Sequence, residues 1–181
     1  MNWKSRSTGY GSFAIAFHWL MLLLIIAVYA SMEFKGIYPK DSAGRAAMAS
    51  WHYTLGLSVF LLVWLRLSVR LSGAAPLARP APPARQATLA RVMHLALYAL
   101  DVRPTFAGLV NPQRERVPVP FFGLELPALI GKSEGLAKQL KDIHETGATV
   151  GYFLVGLHAA AALFHHYVRR DSTLRLMLPG R

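Results

Sequence analysis

Residues 12–32 read SFAIAFHWLMLLLIIAVYASM, twenty-one positions without an acid or a base. As a helix rising about 1.5 Å per residue, this stretch crosses a hydrocarbon core roughly 30 Å thick. It is longer than the apolar core of a signal peptide and carries His18 and Trp19 within the run, so it reads as a retained span. Residues 46–65 and 146–168 are equally free of charge. The chain of 181 residues is 54% hydrophobic, with a mean hydropathy of +0.32. That balance excludes an ordinary soluble domain and points to an all-α integral membrane protein of a single transmembrane domain, residues 1–181.

The net charge of +11 raises the question of nucleic acid, and its distribution answers it. The N-terminus (Lys4, Arg6), the stretch after the second apolar block (Arg66, Arg70, Arg79, Arg85, Arg91) and the tail (Arg169, Arg170, Arg175, Arg181) hold eleven cations and one acid, Asp171. Residues 33–45 and 101–145 hold nine cations and eight acids. Four helices, at about 12–32, 46–70, 91–110 and 143–168, place the basic segments on one side, with both termini cytoplasmic by the positive-inside rule. The partner is the lipid bilayer, and no nucleic acid is implied. Residues 71–90, with SGAAPLARPAPPAR at their centre, read as an extended cytoplasmic linker. The chain has no cysteine, so thiolate-held clusters and c-type haem attachment are excluded, and a redox metal is held by nitrogen or oxygen.

Four of the seven histidines take a depth from this topology. His18 lies about six residues inside the first span from the cytoplasmic side, and His52 about six residues inside the second from the opposite side. His144 stands at the mouth of the last span, and His158 lies fourteen residues further along the same helix. Fourteen steps of about 100° bring both to nearly one face, roughly 21 Å apart along the axis. His52 matches His144 in depth, and His18 matches His158. Two pairs of neutral imidazoles, one near each membrane face, suit two bis-histidine b-type haems in a four-helix bundle. Small residues beside them (Gly56, Gly147, Gly151, Gly156, Ala159–Ala162) leave room for a flat ring, although such residues also serve close helix packing. His94, at the start of the third block, is expected to make a helix-end hydrogen bond. His165, about 20° from the face of His158 and roughly 10 Å nearer the cytoplasm, is placed to touch a haem propionate or a quinone carbonyl. His166 is expected to be solvated.

The stretches AIAFHWLMLLLIIAVYASMEFKGIYPKD, WHYTLGLSVFLLVWLRLSVRL, IHETGATVGYFLVGLHAAAALFHHY and DSTLRLMLP resemble the bacterial cytochrome b561 family, and most closely its small superoxide-oxidising type. The resemblance covers about two-thirds of the chain. It implies an inner-membrane bundle with two b haems, ligated through His52 and His144 near the periplasm and His18 and His158 near the cytoplasm. It further implies that superoxide gives an electron to the periplasmic haem and that ubiquinone takes it at a cytoplasmic site matching His165; apart from the resemblance, Trp19 and Arg66 are expected at the rim of that site. Lys35, Lys40, Arg45, Lys132, Lys138 and Lys141 suggest a cationic funnel at the entry, opposed by Glu33, Asp41, Glu134 and Asp142. Two alternatives stand beside this reading: an electron-transfer subunit docked to a redox protein partner, and a non-haem helical transporter.

The third helix departs from the family pattern. In RVMHLALYALDVRPTFAGLVNPQRERVPVPFFG only Val92–Leu100 is continuously apolar, and Asp101 and Arg103 then fall near mid-membrane. Each would cost about 2.5–3.5 kcal/mol at a helix centre. A short frame slip, or a helix with Asp101 and Arg103 paired inside the bundle, accounts for the pattern. Either leaves the third helix frayed.

Overall fold

The computed structural model describes residues 9–73, 75–76, 78–109, 119–126 and 133–179. Its order is α1 (Ser12–Lys35), α2 (Ala43–Leu71), α3 (Ala84–Leu109), a hairpin of β1 (Val119–Phe121) and β2 (Leu124–Leu126), and α4 (Glu134–Phe164). A π-helical turn, His165–Arg169, continues α4, and a short 3-10 turn, Arg175–Met177, closes the tail. The hairpin is antiparallel, with Pro120 opposite Glu125.

Three helical stretches among the described residues, Ser12–Lys35, Ala43–Leu71 and Glu134–Arg169, are long and apolar enough to cross a membrane. The bundle's outer surface is apolar: Leu23 is 63% exposed and Phe153 74%. Water would penalise such a surface, and lipid tails do not. Inside, Met21 of α1 packs with Val59, Leu62 and Val63 of α2, and Tyr98 and Val102 bring α3 onto the same cluster. α1 lies on α2, α2 on α3 and α3 on α4.

Two sets of contacts define the ends of the bundle. At one end Trp19 Nε1 donates to the Met177 carbonyl at 2.7 Å. Beside it the Ser172 amide donates to the Arg79 carbonyl (3.0 Å), and the Arg79 amide to Ser172 Oγ (2.9 Å). The start of α1, the linker and the tail therefore share an end. At the other end Thr54 Oγ1 of α2 donates to the Pro120 carbonyl at 3.1 Å and ties down the hairpin. α3 runs between these ends, from His94 beside His158 to Pro104 beside His144. All four helices traverse the bundle.

The helices extend beyond the stretches expected from hydropathy. α3 begins at Ala84, seven residues before the expected start, and the linker shrinks accordingly. Pro83 precedes α3 and accepts from the Ala87 amide (3.1 Å), so the prolines that signal a linker also start a helix. α4 begins at Glu134 rather than near 143, with the Ser133 side chain accepting from the Leu136 amide and Glu134 complementing the helix dipole. Hydropathy marks where the membrane lies; caps and propensity mark where the helix ends. The earlier start also moves Asp101 out of mid-helix into the last third of α3.

Ser42 caps α2 in the same manner: its Oγ accepts from the Arg45 amide (3.2 Å) and donates to the Pro39 carbonyl (2.9 Å). Ser42→Ala is expected to cost about 1 kcal/mol. Thermal unfolding in detergent measures the loss.

Candidate functional site

The structure brings the four deep histidines together in two pairs. The rings of His52 and His144 have centroids 5.9 Å apart and planes at 87°, and those of His18 and His158 are 6.3 Å apart at 64°. A metal held between two imidazole nitrogens at about 2 Å from each puts the centroids roughly 6 Å apart. Both pairs have that separation, at opposite ends of the bundle.

The pairs differ in how their rings are held. His144 Nδ1 lies 2.7 Å from the Pro104 carbonyl, and His52 Nδ1 lies 3.3 Å from the Val28 carbonyl and 3.3 Å from Ser31 Oγ. A carbonyl only accepts, so Nδ1 carries the proton in both rings and Nε2 keeps its lone pair. This is the tautomer and the outer support that metal-binding histidines use. At the other pair, Arg66 Nη2 lies 2.9 Å from His18 Nδ1. Guanidinium only donates, so His18 Nδ1 accepts and the ring's proton sits on Nε2. Ligation through His18 Nε2 therefore requires Arg66 to release the ring. The His52/His144 pair is the preorganised one.

A cavity of about 820 Å³ opens around His52 and His144, within the ~300–1,000 Å³ range of cofactor pockets. Gly56 lines it, and a Cβ there would meet nothing within 4 Å. Gly156, near His158, is equally unobstructed. Gly147 and Gly151 serve instead for helix contact: a Cβ on Gly147 would fall 2.2 Å from Pro104 Cγ, and one on Gly151 2.8 Å from the Tyr29 hydroxyl. Tyr29 uses that approach to donate to the Ala148 carbonyl at 2.7 Å. Gly147 and Gly151 therefore line the cavity with Gly56 while also letting helices touch, and Gly156 is exposed on α4.

α3 is more than filler. Pro104 is buried, its carbonyl holds His144, and Gly108 lies so near that an added Cβ would be 3.0 Å from His144 Nδ1. Asp101 and Arg103 do not pair inside the bundle: Asp101 lines the cavity, whereas Arg103 is exposed. They are two steps apart on a helix and project from different faces. The helix continues through Pro104 to Leu109; residues 110–116 of the unusual window lie outside the described residues.

The expected entry funnel is only partly assembled. Lys35 and Lys141 line the cavity, but Glu33 and Glu145 do so too, and Lys141 Nζ lies 3.6 Å from Glu145. Arg45 turns its guanidinium onto the Lys35 and Tyr38 carbonyls. Lys132 lies outside the described residues.

His94 makes a backbone hydrogen bond to Ala90, inside α3 rather than at the helix end where it was expected, because α3 starts earlier, and it sits 5.5 Å, centroid to centroid, from His158. His166 departs from expectation: its Nδ1 is buried and has no hydrogen-bond partner among the described residues. Of the expected quinone rim, Trp19 is spent on Met177, and Arg66 lies over the Tyr98 ring at 5.6 Å while contacting His18. His165 Nδ1 instead meets the Asp171 carboxylate at 2.5 Å. The sequence reading missed Pro104, Ser31 and Asp171. Asp171 had a signal, as the lone acid among eleven cations on its side; the Val28 and Pro104 carbonyls had none.

Comparison with known proteins agrees with this architecture. A family model described as prokaryotic cytochrome b561 matches residues 9–180. Cytochrome b561 homolog 1 of Escherichia coli (strain K12) is 36% identical over 167 residues, covering 92% of this chain and 95% of its own. Probable superoxide oxidase CybB of Yersinia pestis is 34% identical over 172 residues, covering 95% and 97%. Cytochrome b561 homolog 2 of Escherichia coli (strain K12) is 25% identical over 179 residues, covering 98% and 95%. With its membrane-capable helices, half-buried imidazoles and near-complete match, the chain belongs to the prokaryotic cytochrome b561 family of helical membrane proteins that bind b-type haem and transfer electrons.

Proposed function

We propose that this protein is a di-haem superoxide:ubiquinone oxidoreductase of the inner membrane, with both termini cytoplasmic. One observation carries the reading: two opposed imidazole pairs, spaced for one metal each, at the two ends of one bundle. Each pair supplies two ligands, fewer than the three or four of a protein zinc centre. A porphyrin brings the remaining nitrogens itself, and the cavity beside His52, His144 and Gly56 has room for a flat macrocycle.

Bound b haem supplies one-electron chemistry at each end. His52 and His144 would hold the periplasmic haem, their Nδ1 protons committed to backbone carbonyls so that both Nε2 lone pairs remain for ligation. His18 and His158 hold the cytoplasmic site. Lys35, at the mouth of the cavity, attracts a small anion more than Lys141, whose charge is shared with Glu145. Superoxide as donor is supported by the Yersinia pestis relative, which is named a probable superoxide oxidase. Each superoxide leaves as dioxygen after giving one electron. Two electrons and two protons convert one ubiquinone to ubiquinol near His165.

Stopped-flow mixing of the purified, haem-loaded protein with superoxide is expected to show reduced b-type absorption bands, which decay when ubiquinone is added. Bands that respond to dithionite but not to superoxide would retain the cytochrome and replace the donor by a protein partner. A preparation with no b-type bands after growth with ample haem removes the whole reading.

A further inference from the structure

The last turn of α4 is not an ordinary helix end. His165–Arg169 forms a π-helical turn, Arg170 takes a left-handed conformation (φ +55°), and the Asp171 amide returns to the His165 carbonyl at 3.1 Å. Non-glycine residues seldom adopt this conformation, and π turns concentrate at functional sites. Its effect is to swing Asp171 back beneath His165. Asp171 Oδ2 lies 2.5 Å from His165 Nδ1, and Asp171 Oδ1 accepts from the Thr173 amide at 2.9 Å. The carboxylate is thus held on both oxygens, and its side chain is 4% exposed while that of His165 is 20% exposed. Burial alone would raise the Asp171 carboxyl, but hydrogen bonds from His165 and Thr173 outweigh it and hold the group below the ordinary carboxylate range.

We propose that Asp171 is a positioning residue for quinone reduction, orienting His165 so that its Nε2–H donates a proton to the quinone oxygen. The inference rests on the quinone site proposed above. Asp171 accepts the Nδ1 proton, which fixes the imidazole plane and leaves Nε2 as the group facing substrate. Ubiquinone requires two electrons and two protons. The electrons come from two superoxide ions, each released as dioxygen, and the protons pass one at a time from His165 Nε2, which is recharged from water on the cytoplasmic side. The other charged side chains around the pair, Arg169 and Arg170 on the same turn, Arg175 beyond it and Arg79 on the adjoining linker, are exposed. From α1 the nearby group is Trp19, uncharged and bonded to Met177.

The test uses the full haem-loaded protein in detergent, with a soluble short-chain ubiquinone as acceptor and superoxide as donor. Asp171→Asn is expected to slow quinone reduction about ten-fold or more, with KM little changed, the visible spectrum and haem content intact, and the pH profile of the rate altered. Asp171→Glu should recover part of the rate. If Asp171→Asn keeps the wild-type rate and profile while His165→Ala loses quinone reduction, the positioning role is overturned and the quinone site stands. If His165→Ala also reduces quinone normally, the site itself is misplaced and both readings fall. Should Asp171→Asn not fold, the wild-type protein answers the question. Electron transfer to quinone should slow in deuterium oxide; a rate indifferent to the solvent isotope overturns the proposal.

Discussion

Replacing His144 with alanine is expected to remove about half of the bound haem, the same half lost on replacing His52, while His158→Ala removes the other half. His144 faces His52 at 5.9 Å, and its Nδ1 is bound to the Pro104 carbonyl. Alanine removes the Nε2 ligand and leaves a buried carbonyl without its donor, so nothing at that end replaces the lost imidazole. His158 differs because His94 lies 5.5 Å away. His94 is bonded to the Ala90 backbone on another helix, and the expected outcome is loss of haem rather than exchange of ligand. Haem per protein, together with the reduced-minus-oxidised spectrum, decides the matter. Wild-type haem content in all three variants would reject the ligand assignment. Loss of both haems from every variant would show instead that the two sites fold as one unit.

The second large effect is expected at Gly147. A Cβ there would sit 2.2 Å from Pro104 Cγ and 2.8 Å from its Cβ, closer than real side-chain atoms approach, and a proline ring has little freedom to yield. Gly147→Ala therefore pushes α3 from α4 at the point where the Pro104 carbonyl holds His144. Overpacking of this kind costs about 1–3 kcal/mol. Loss of the outer hydrogen bond to a ligating histidine weakens metal binding by roughly 10–100-fold. Gly147→Ala should then unfold at lower temperature and lose haem preferentially from the His52/His144 site. Gly135→Ala serves as the control, since a Cβ at that position of α4 meets nothing within 4 Å; there the substitution is expected to be neutral or slightly stabilising. Equal melting of the two variants would mean that the close contact between α3 and α4 does not govern the site.

These predictions show where the chain was readable and where it was not. The pairing of His52 with His144 and of His18 with His158 followed from depth, because a helix in a bilayer converts residue count into distance along the membrane normal. The third helix resisted the same treatment. Its charged and proline-containing stretch looked like a break, since hydropathy registers Asp101, Arg103 and Pro104 only as costs. The fold places Pro104 against Gly147 and turns its carbonyl to His144, so the residue that seemed to damage the helix supports the site. The glycines were ambiguous for a related reason. Composition cannot separate Gly56, which borders open space, from Gly147, which admits another helix.

The sequence by itself determined that the chain lives in a membrane, that thiolate cannot hold a redox metal in it, and which histidines share a depth. Those properties depend on chemical type and on spacing along one helix. Only the tertiary structure decided which nitrogen of His52 and His144 is committed to a carbonyl, that Arg66 occupies His18, and that Asp171 closes on His165. Such contacts join residues brought together by rotation and approach of separate helices, or by a left-handed turn. A hydrogen bond forms within about 3 Å, a tolerance far finer than residue count along a helix provides.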